Sequence, residues 1–89
     1  MRLLIAEDEK ELAKALKTIF EKHNYSVDTV FDGQAALDYA LTGNYDGAVL
    51  DVMMPVLDGF SVVRRLRARG VSTPVLLLTA RSEVPDRVE

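Results

Sequence analysis

Four short, mostly apolar runs punctuate the chain: Leu3-Leu4-Ile5-Ala6, Val27 to Val30, Ala48-Val49-Leu50 and Val75 to Leu78. Runs of this length and composition fit strands buried on both faces of a parallel sheet. Between them the apolar period lengthens to that of a helix. Leu12, Ala13, Leu16, Ile19 and Phe20 fall on one face, with Glu11, Lys14, Lys17 and Glu21 off it. A second pattern, Gln34 to Thr42, turns Ala36, Leu37, Ala40 and Leu41 inward and has Gly43 as its stop. A third, from about Gly59 to Arg69, turns Val62, Val63 and Leu66 inward and stops at Gly70. The order is βαβαβαβ, then the opening of a fourth helix at Ser82 to Glu89, where Ser82 suits an N-cap and Pro85 a first turn.

Strands alternating with helices of this length predict right-handed βαβ crossovers and a parallel sheet covered by helices. Every strand then ends on the same edge, where open α/β folds bind ligands. Glu7 and Asp8 end the first strand, Asp51 the third and Thr79 the fourth, so polar residues far apart in sequence meet on one rim. Each has an ordinary explanation. Asp8 with Glu11 three residues on approaches a capping box, Asp51 before Pro55 suits a turn, and Thr79 suits a strand. Together they are harder to dismiss, because three crowded carboxylates repel one another unless a hard cation neutralises them. Mg²⁺ suits such a site, since it takes carboxylate oxygens together with waters and phosphate oxygens. A carboxylate beside it is a nucleophile toward phosphorus, giving an aspartyl phosphate.

Composition narrows the possibilities. A chain of 89 residues is at most one domain, and with no Cys it has neither a disulfide framework nor a thiolate metal site. Its apolar runs are too short to span a membrane, and Met1-Arg2 leads into a strand-like run rather than a signal peptide, so a cytoplasmic setting is expected. A net charge of −3 is a poor match to nucleic-acid phosphates, so no nucleic-acid contact is expected of this segment. A dinucleotide module needs a Gly-rich first turn where this chain has AEDEKE. An Asp-nucleophile phosphatase usually pairs its nucleophile with an Asp two residues later, where Met53 stands. His23 reads as a residue at a helix C-terminus, Arg64, Arg65, Arg67 and Arg69 as a solvated helix face, and Met53 and Met54 as packing residues.

IAEDE at the end of the first strand, LDVMMPVLDGF at the third and LLLTAR at the fourth resemble, in order and joint spacing, the receiver domain of two-component response regulators. The resemblance covers all 89 positions. It implies a flavodoxin-like three-layer α/β/α fold with strand order 2-1-3-4 and a non-enzymatic phosphoacceptor whose Asp51 is phosphorylated by a histidine kinase. It further implies Asp8 and Asp51 as direct Mg²⁺ ligands, Glu7 acting largely through a coordinated water, and the Met53 backbone carbonyl as a third ligand. Thr79 takes the place of the switch hydroxyl, Ala80 that of the small residue leaving room for phosphate, and Pro55 and Gly59 those of loop-shaping residues. The family adds a final strand and helix, with a Lys that pairs with the phosphate, and no Lys here stands at a matching position. Residues 1–89 are therefore expected to be a receiver fragment, slow to accept phosphate, from a parent resembling winged-helix transcription regulators whose output domain is not encoded here. The fourth strand, expected at an edge, would favour a homo-oligomer of the fragment. The alternative is a receiver-like interaction or assembly module that is not phosphorylated.

Overall fold

The computed structural model describes residues 1–79, so Ala80, Ser82 and Pro85 lie outside the described residues. The elements are β1 (Arg2–Ala6), α1 (Lys10–Lys22), β2 (Ser26–Val30), α2 (Gly33–Thr42), β3 (Gly47–Asp51), α3 (Gly59–Ala68) and β4 (Val75–Leu78). The four strands and first three helices expected are present, with ends moved by a residue or so, while the expected opening of a fourth helix at Ser82 to Glu89 lies outside the described residues. The sheet is parallel throughout, in the order β2-β1-β3-β4.

Alternation along the strands divides the core into two layers. Leu4, Ala6, Ala48 and Leu50 point toward Ala36, Leu37 and Ala40 of α2 and Val62 and Leu66 of α3. Leu3, Ile5, Val27 and Val49 point the other way, toward Leu16 and Phe20 of α1. Solid apolar strands are what two covered faces demand. Leu4, Ile5, Leu50, Val62 and Leu66 are the largest fully buried side chains, each contributing roughly 1.5–3 kcal/mol relative to exposure.

The α1 layer is thinner than its sequence pattern suggests. Ala13 is buried and Leu16 and Phe20 partly so, but Leu12 is 43% and Ile19 53% exposed. The cause is position: α1 lies over β1 and β2, and among the described residues no helix covers the sheet face beyond β3, where Leu76 is 60% exposed.

Helix ends are fixed by Asp residues the apolar pattern does not single out. Asp32 caps α2 by accepting from the Ala35 N–H at 2.7 Å, and Asp58 caps α3 by accepting from the Ser61 N–H at 2.9 Å. The capping box centred on Asp8 does not form, because the N-cap of α1 is Glu9 and no side chain caps it. His23 is the exposed C-cap of that helix. At the far end of the sheet Asp28 binds the Arg2 guanidinium at 3.0 Å and the Tyr45 hydroxyl at 2.6 Å, and the guanidinium also lies over the Tyr45 ring. This clasp ties β1, β2 and the α2–β3 loop together away from the polar rim.

Candidate functional site

β1 and β3 are neighbours, so their C-terminal ends deliver carboxylates to the same point. Glu7, Asp8 and Asp51 each place a carboxylate oxygen there, all within 4.8 Å of one another. Asp51 is the last residue of β3 and only 8% exposed, Glu7 is 4% exposed, and Asp8 faces solvent. The apolar strand therefore carries its terminal carboxylate into the rim rather than past it.

Local hydrogen bonds orient the cluster. The Glu9 N–H donates to Glu7 Oε2 at 3.0 Å, turning the Glu7 side chain back under the β1–α1 loop. The Met53 N–H donates to Asp51 Oδ1 at 3.3 Å, which sets Met53 directly beside the carboxylate. Burial, partly opposed by the Glu9 N–H, raises the Glu7 carboxyl above the usual carboxylate range, with the charges of Asp51 and Asp8 pushing the same way.

The donor set fits a hard divalent cation. It is made of oxygen alone, two of its three carboxylates are buried, and their closeness is unfavourable without a countercharge. Glu7, Asp8 and Asp51 could hold Mg²⁺, leaving positions for waters and phosphate oxygens.

Two clefts open from the cluster. One, of about 460 Å³, is walled by Glu7, Asp8, Glu9, Leu12, Asp51, Leu78 and Thr79. Thr79, exposed and immediately after β4, thus shares a cleft with Asp51. The other, of about 750 Å³, runs from Asp8 over Met53, Met54 and Pro55 to Phe60 and Arg64. Ala80 lies outside the described residues.

The β3–α3 loop has a geometry the sequence does not announce. The Pro55 carbonyl accepts from Leu57 N–H at 2.8 Å and from Gly33 N–H at 3.2 Å. The first of these bonds spans two residues and closes a γ-turn with Val56 at φ 73°. That is the strained form of this turn, and it is carried by a β-branched residue that is 77% exposed. Gly59 is needed for space, not for a left-handed backbone, since Gly70 is the only described glycine with positive φ. A Cβ at Gly59 would lie 2.7 Å from the Asp51 carbonyl oxygen and 3.0 Å from Val52 Cα. The start of α3 is thereby pressed against the end of β3.

Comparison with known proteins agrees with this arrangement. A family model described as response regulator receiver domain matches residues 3–89. Among curated proteins, the transcriptional regulatory protein DltR of Streptococcus agalactiae is 48% identical over 88 residues, 99% of this chain and 39% of the relative. TctD of Salmonella typhimurium, also a transcriptional regulatory protein, is 54% identical over 89 residues, 100% of this chain and 40% of the relative. The chain thus spans about 40% of the length of these relatives. Among solved structures, the receiver domain of a sensor histidine kinase from Pseudomonas aeruginosa superposes with a TM-score of 0.87 at 32% identity, covering 99% of this chain and 74% of that one. That structure was solved with a magnesium ion coordinated in its active site cleft.

Proposed function

Because the chain belongs to the response regulator receiver domains, we propose that it is a phosphoacceptor whose Asp51 takes a phosphoryl group from the phosphohistidine of a histidine kinase. The observation that carries this is the convergence of Glu7, Asp8 and Asp51 within 4.8 Å at the ends of two adjacent strands. Asp51 is the nucleophile: a carboxylate oxygen attacks phosphorus in line, the N–P bond of the donor breaks, and its electron pair returns to the imidazole, which takes up a proton. Asp8 and Asp51, with the Met53 carbonyl, would hold Mg²⁺, and Glu7 would act largely through a coordinated water. When bound, the metal offsets the repulsion between the carboxylates and the phosphoryl oxygens. The Met53 N–H orients Asp51 through its hydrogen bond. Thr79, on the wall of the same cleft, donates its hydroxyl to a phosphoryl oxygen and couples the site to β4, and Ala80 leaves room for the phosphate.

The chain is not itself an enzyme in this scheme; it is a switch for a larger protein. The likeness to DltR and TctD, both transcriptional regulatory proteins, supports a cytoplasmic parent with a DNA-binding output domain. No helix among the described residues is long and apolar enough to cross a membrane.

The test is labelling with radioactive acetyl phosphate in the presence and absence of Mg²⁺. Mg²⁺-dependent incorporation that disappears in Asp51→Asn is expected, whereas incorporation that survives the substitution would remove Asp51 as acceptor.

The apolar α1 face favours a second role, in assembly. Leu12, Ile19 and Leu76 are exposed, and Leu76 lines a cavity of about 310 Å³ together with Leu3, Phe20, Tyr25, Val49 and Val75 among others. Pairing of the 89-residue chain with a second copy across this face would cover it. Light scattering coupled to size exclusion should show mass rising with concentration, and a monomer at every concentration would rule the association out.

A further inference from the structure

Met53 and Met54 are adjacent in sequence, and the structure parts them. Met54 is 8% exposed and sits in the core layer shared with α2 and α3, as its reading as a packing residue requires. Met53 is 62% exposed and does not pack there. Its backbone N–H donates to Asp51 Oδ1 at 3.3 Å, so its side chain departs from a point fixed beside that carboxylate. It lies on the wall of the larger cleft, with Asp8 of the acidic cluster. The third methionine, Met1, is also exposed, but it precedes β1 and so stands at the edge of the sheet opposite the cluster. With no Cys in the chain, the three thioethers are the side chains that a peroxide oxidises most readily. Of the three, Met53 alone is both open to solvent and next to Asp51.

We propose that Met53 is a reversible oxidation site, at which a peroxide converts the thioether to the sulfoxide and thereby slows phosphorylation of Asp51. The effect rests on Asp51 as phosphoacceptor; the oxidation itself does not. In the oxidation a sulfur lone pair attacks one peroxide oxygen, an S–O bond forms and the O–O bond breaks. The other oxygen leaves as hydroxide and is protonated to water, so sulfur loses two electrons and hydrogen peroxide gains them. A flexible apolar side chain becomes a polar one whose oxygen carries negative charge. Met53 is placed for that change to matter. The cleft already has Asp8 and Asp58 on its walls against the single cation Arg64, and a sulfoxide oxygen adds the negative end of a further dipole where an anionic phosphodonor must approach. Burial protects Met54, which confines the response to one position. Methionine sulfoxide reductases, one for each sulfoxide epimer, reverse it by removing the oxygen as water while a dithiol is oxidised to a disulfide.

The experiment exposes the 89-residue chain to dilute hydrogen peroxide for increasing times, quenches with catalase, and follows each methionine by peptide mass spectrometry. The initial rate of labelling by radioactive acetyl phosphate with Mg²⁺ is measured on the same samples. Met53 should gain one oxygen about tenfold faster than Met54. Labelling should fall about twofold to threefold in step with Met53 oxidation, the scale of a solvent-screened electrostatic effect. Both reductases with dithiothreitol should restore the rate. Met53→Leu, compared with its own untreated sample, should no longer respond to peroxide although Met1 and Met54 remain. Circular dichroism melts should keep their Tm through the oxidation, and a fall that accounts for the lost labelling would refute a local effect. Oxidation of Met53 no faster than that of Met54 would remove the site. A response that persists in Met53→Leu, or a parent rate that holds as Met53 oxidises, would overturn the coupling to Asp51 while its labelling stands. Failure of the untreated chain to label would instead overturn the phosphoacceptor reading and the coupling with it, and the map of oxidised methionines would still decide the site.

Discussion

Gly59→Ala tests how tightly the start of α3 is joined to β3. The added methyl would meet the Asp51 carbonyl oxygen at 2.7 Å, Val52 Cα at 3.0 Å and Leu77 Cδ2 at 3.2 Å. The Leu77 side chain can rotate away, but the backbone atoms are pinned. Asp51 lies opposite Leu78 in the sheet register, Val52 N–H donates to the Leu78 carbonyl at 2.9 Å, and Gly59 N–H donates to the Val52 carbonyl at 2.9 Å. Relief therefore requires α3 to retreat by a few tenths of an ångström. Val62 and Leu66, 0% and 1% exposed against the sheet, oppose that movement. Overpacking of this kind costs about 1–3 kcal/mol, and the gain from Ala over Gly in a helix, at most about 1 kcal/mol, is smaller at the first position. The net loss is about 1–2 kcal/mol, or a fall in Tm of roughly 5–15 °C for a domain of this size. Far-ultraviolet circular dichroism melts measure it directly. Since the crowded atom belongs to Asp51 itself, acetyl phosphate labelling should slow as well. A Tm unchanged within error would mean that the β3–α3 junction is slack, and the steric account of Gly59 would be wrong. Gly70→Ala is the control: φ is 79° with nothing within 4 Å, so it should cost about 1 kcal/mol through backbone strain and leave labelling unchanged.

Mg²⁺ should raise Tm in the parent chain, by about 1.4 kcal/mol of added stability at ten times its Kd, and much less in Asp51→Asn; equal shifts in both would move the ion elsewhere. The Tyr45 hydroxyl, pushed up to about 12 by burial and its bond to Asp28, keeps its proton in the folded state where the unfolded chain loses it. Stability from this group is thus complete below pH 10 and lost as pH rises toward about 12; Tyr45→Phe should flatten that alkaline decline, and an identical decline in the variant would refute the assignment. Asp28 is held below its ordinary 3.8 by the Tyr45 hydroxyl first and Arg2 next, so its contribution is present above pH 3.8 and lost as pH falls through the folded value. Urea melts of Asp28→Asn should accordingly show a deficit at neutral pH that closes in acid, and a deficit independent of pH would point to packing rather than charge.

Sheet and layers were legible because buried parallel strands leave a mark that few other structures leave. Leu3-Leu4-Ile5-Ala6 has no polar position, so both of its faces had to be covered, and the helical patterns on either side supplied the covers. The α1 stripe misled for the same reason that it was visible. Apolar period reports which residues avoid water in the surroundings the sequence is suited to, while Leu12 and Ile19 are exposed because no described element lies over their part of the sheet. The ordinary reading of Asp8 as the α1 cap does not hold, and the caps of α2 and α3 were not singled out. Asp8, Asp32 and Asp58 are equally plausible caps as letters, and only the turn geometry decides which carboxylate reaches an N–H.

Convergence of the acidic residues was readable from topology alone, since parallel strands put Glu7, Asp8 and Asp51 on one edge whatever their side chains do. Their inequality was not. Glu7 and Asp8 are neighbours of like charge, yet one is 4% exposed and bonded to the Glu9 N–H while the other faces solvent. That division is made by the path of the β1–α1 loop, which no periodicity encodes. The strained γ-turn at Val56 escaped for a related reason: a β-branched residue argues against positive φ, and here the Pro55 carbonyl overrides it by binding Leu57 and, across the loop, Gly33. Gly33 must be small for that contact, because a Cβ there would fall 1.7 Å from the Leu57 carbonyl oxygen. The loop that follows Asp51 is therefore held by a glycine at the start of α2 on one side and by Gly59 on the other. The path of this loop rests on two residues without side chains, and only the second of them drew notice in the sequence.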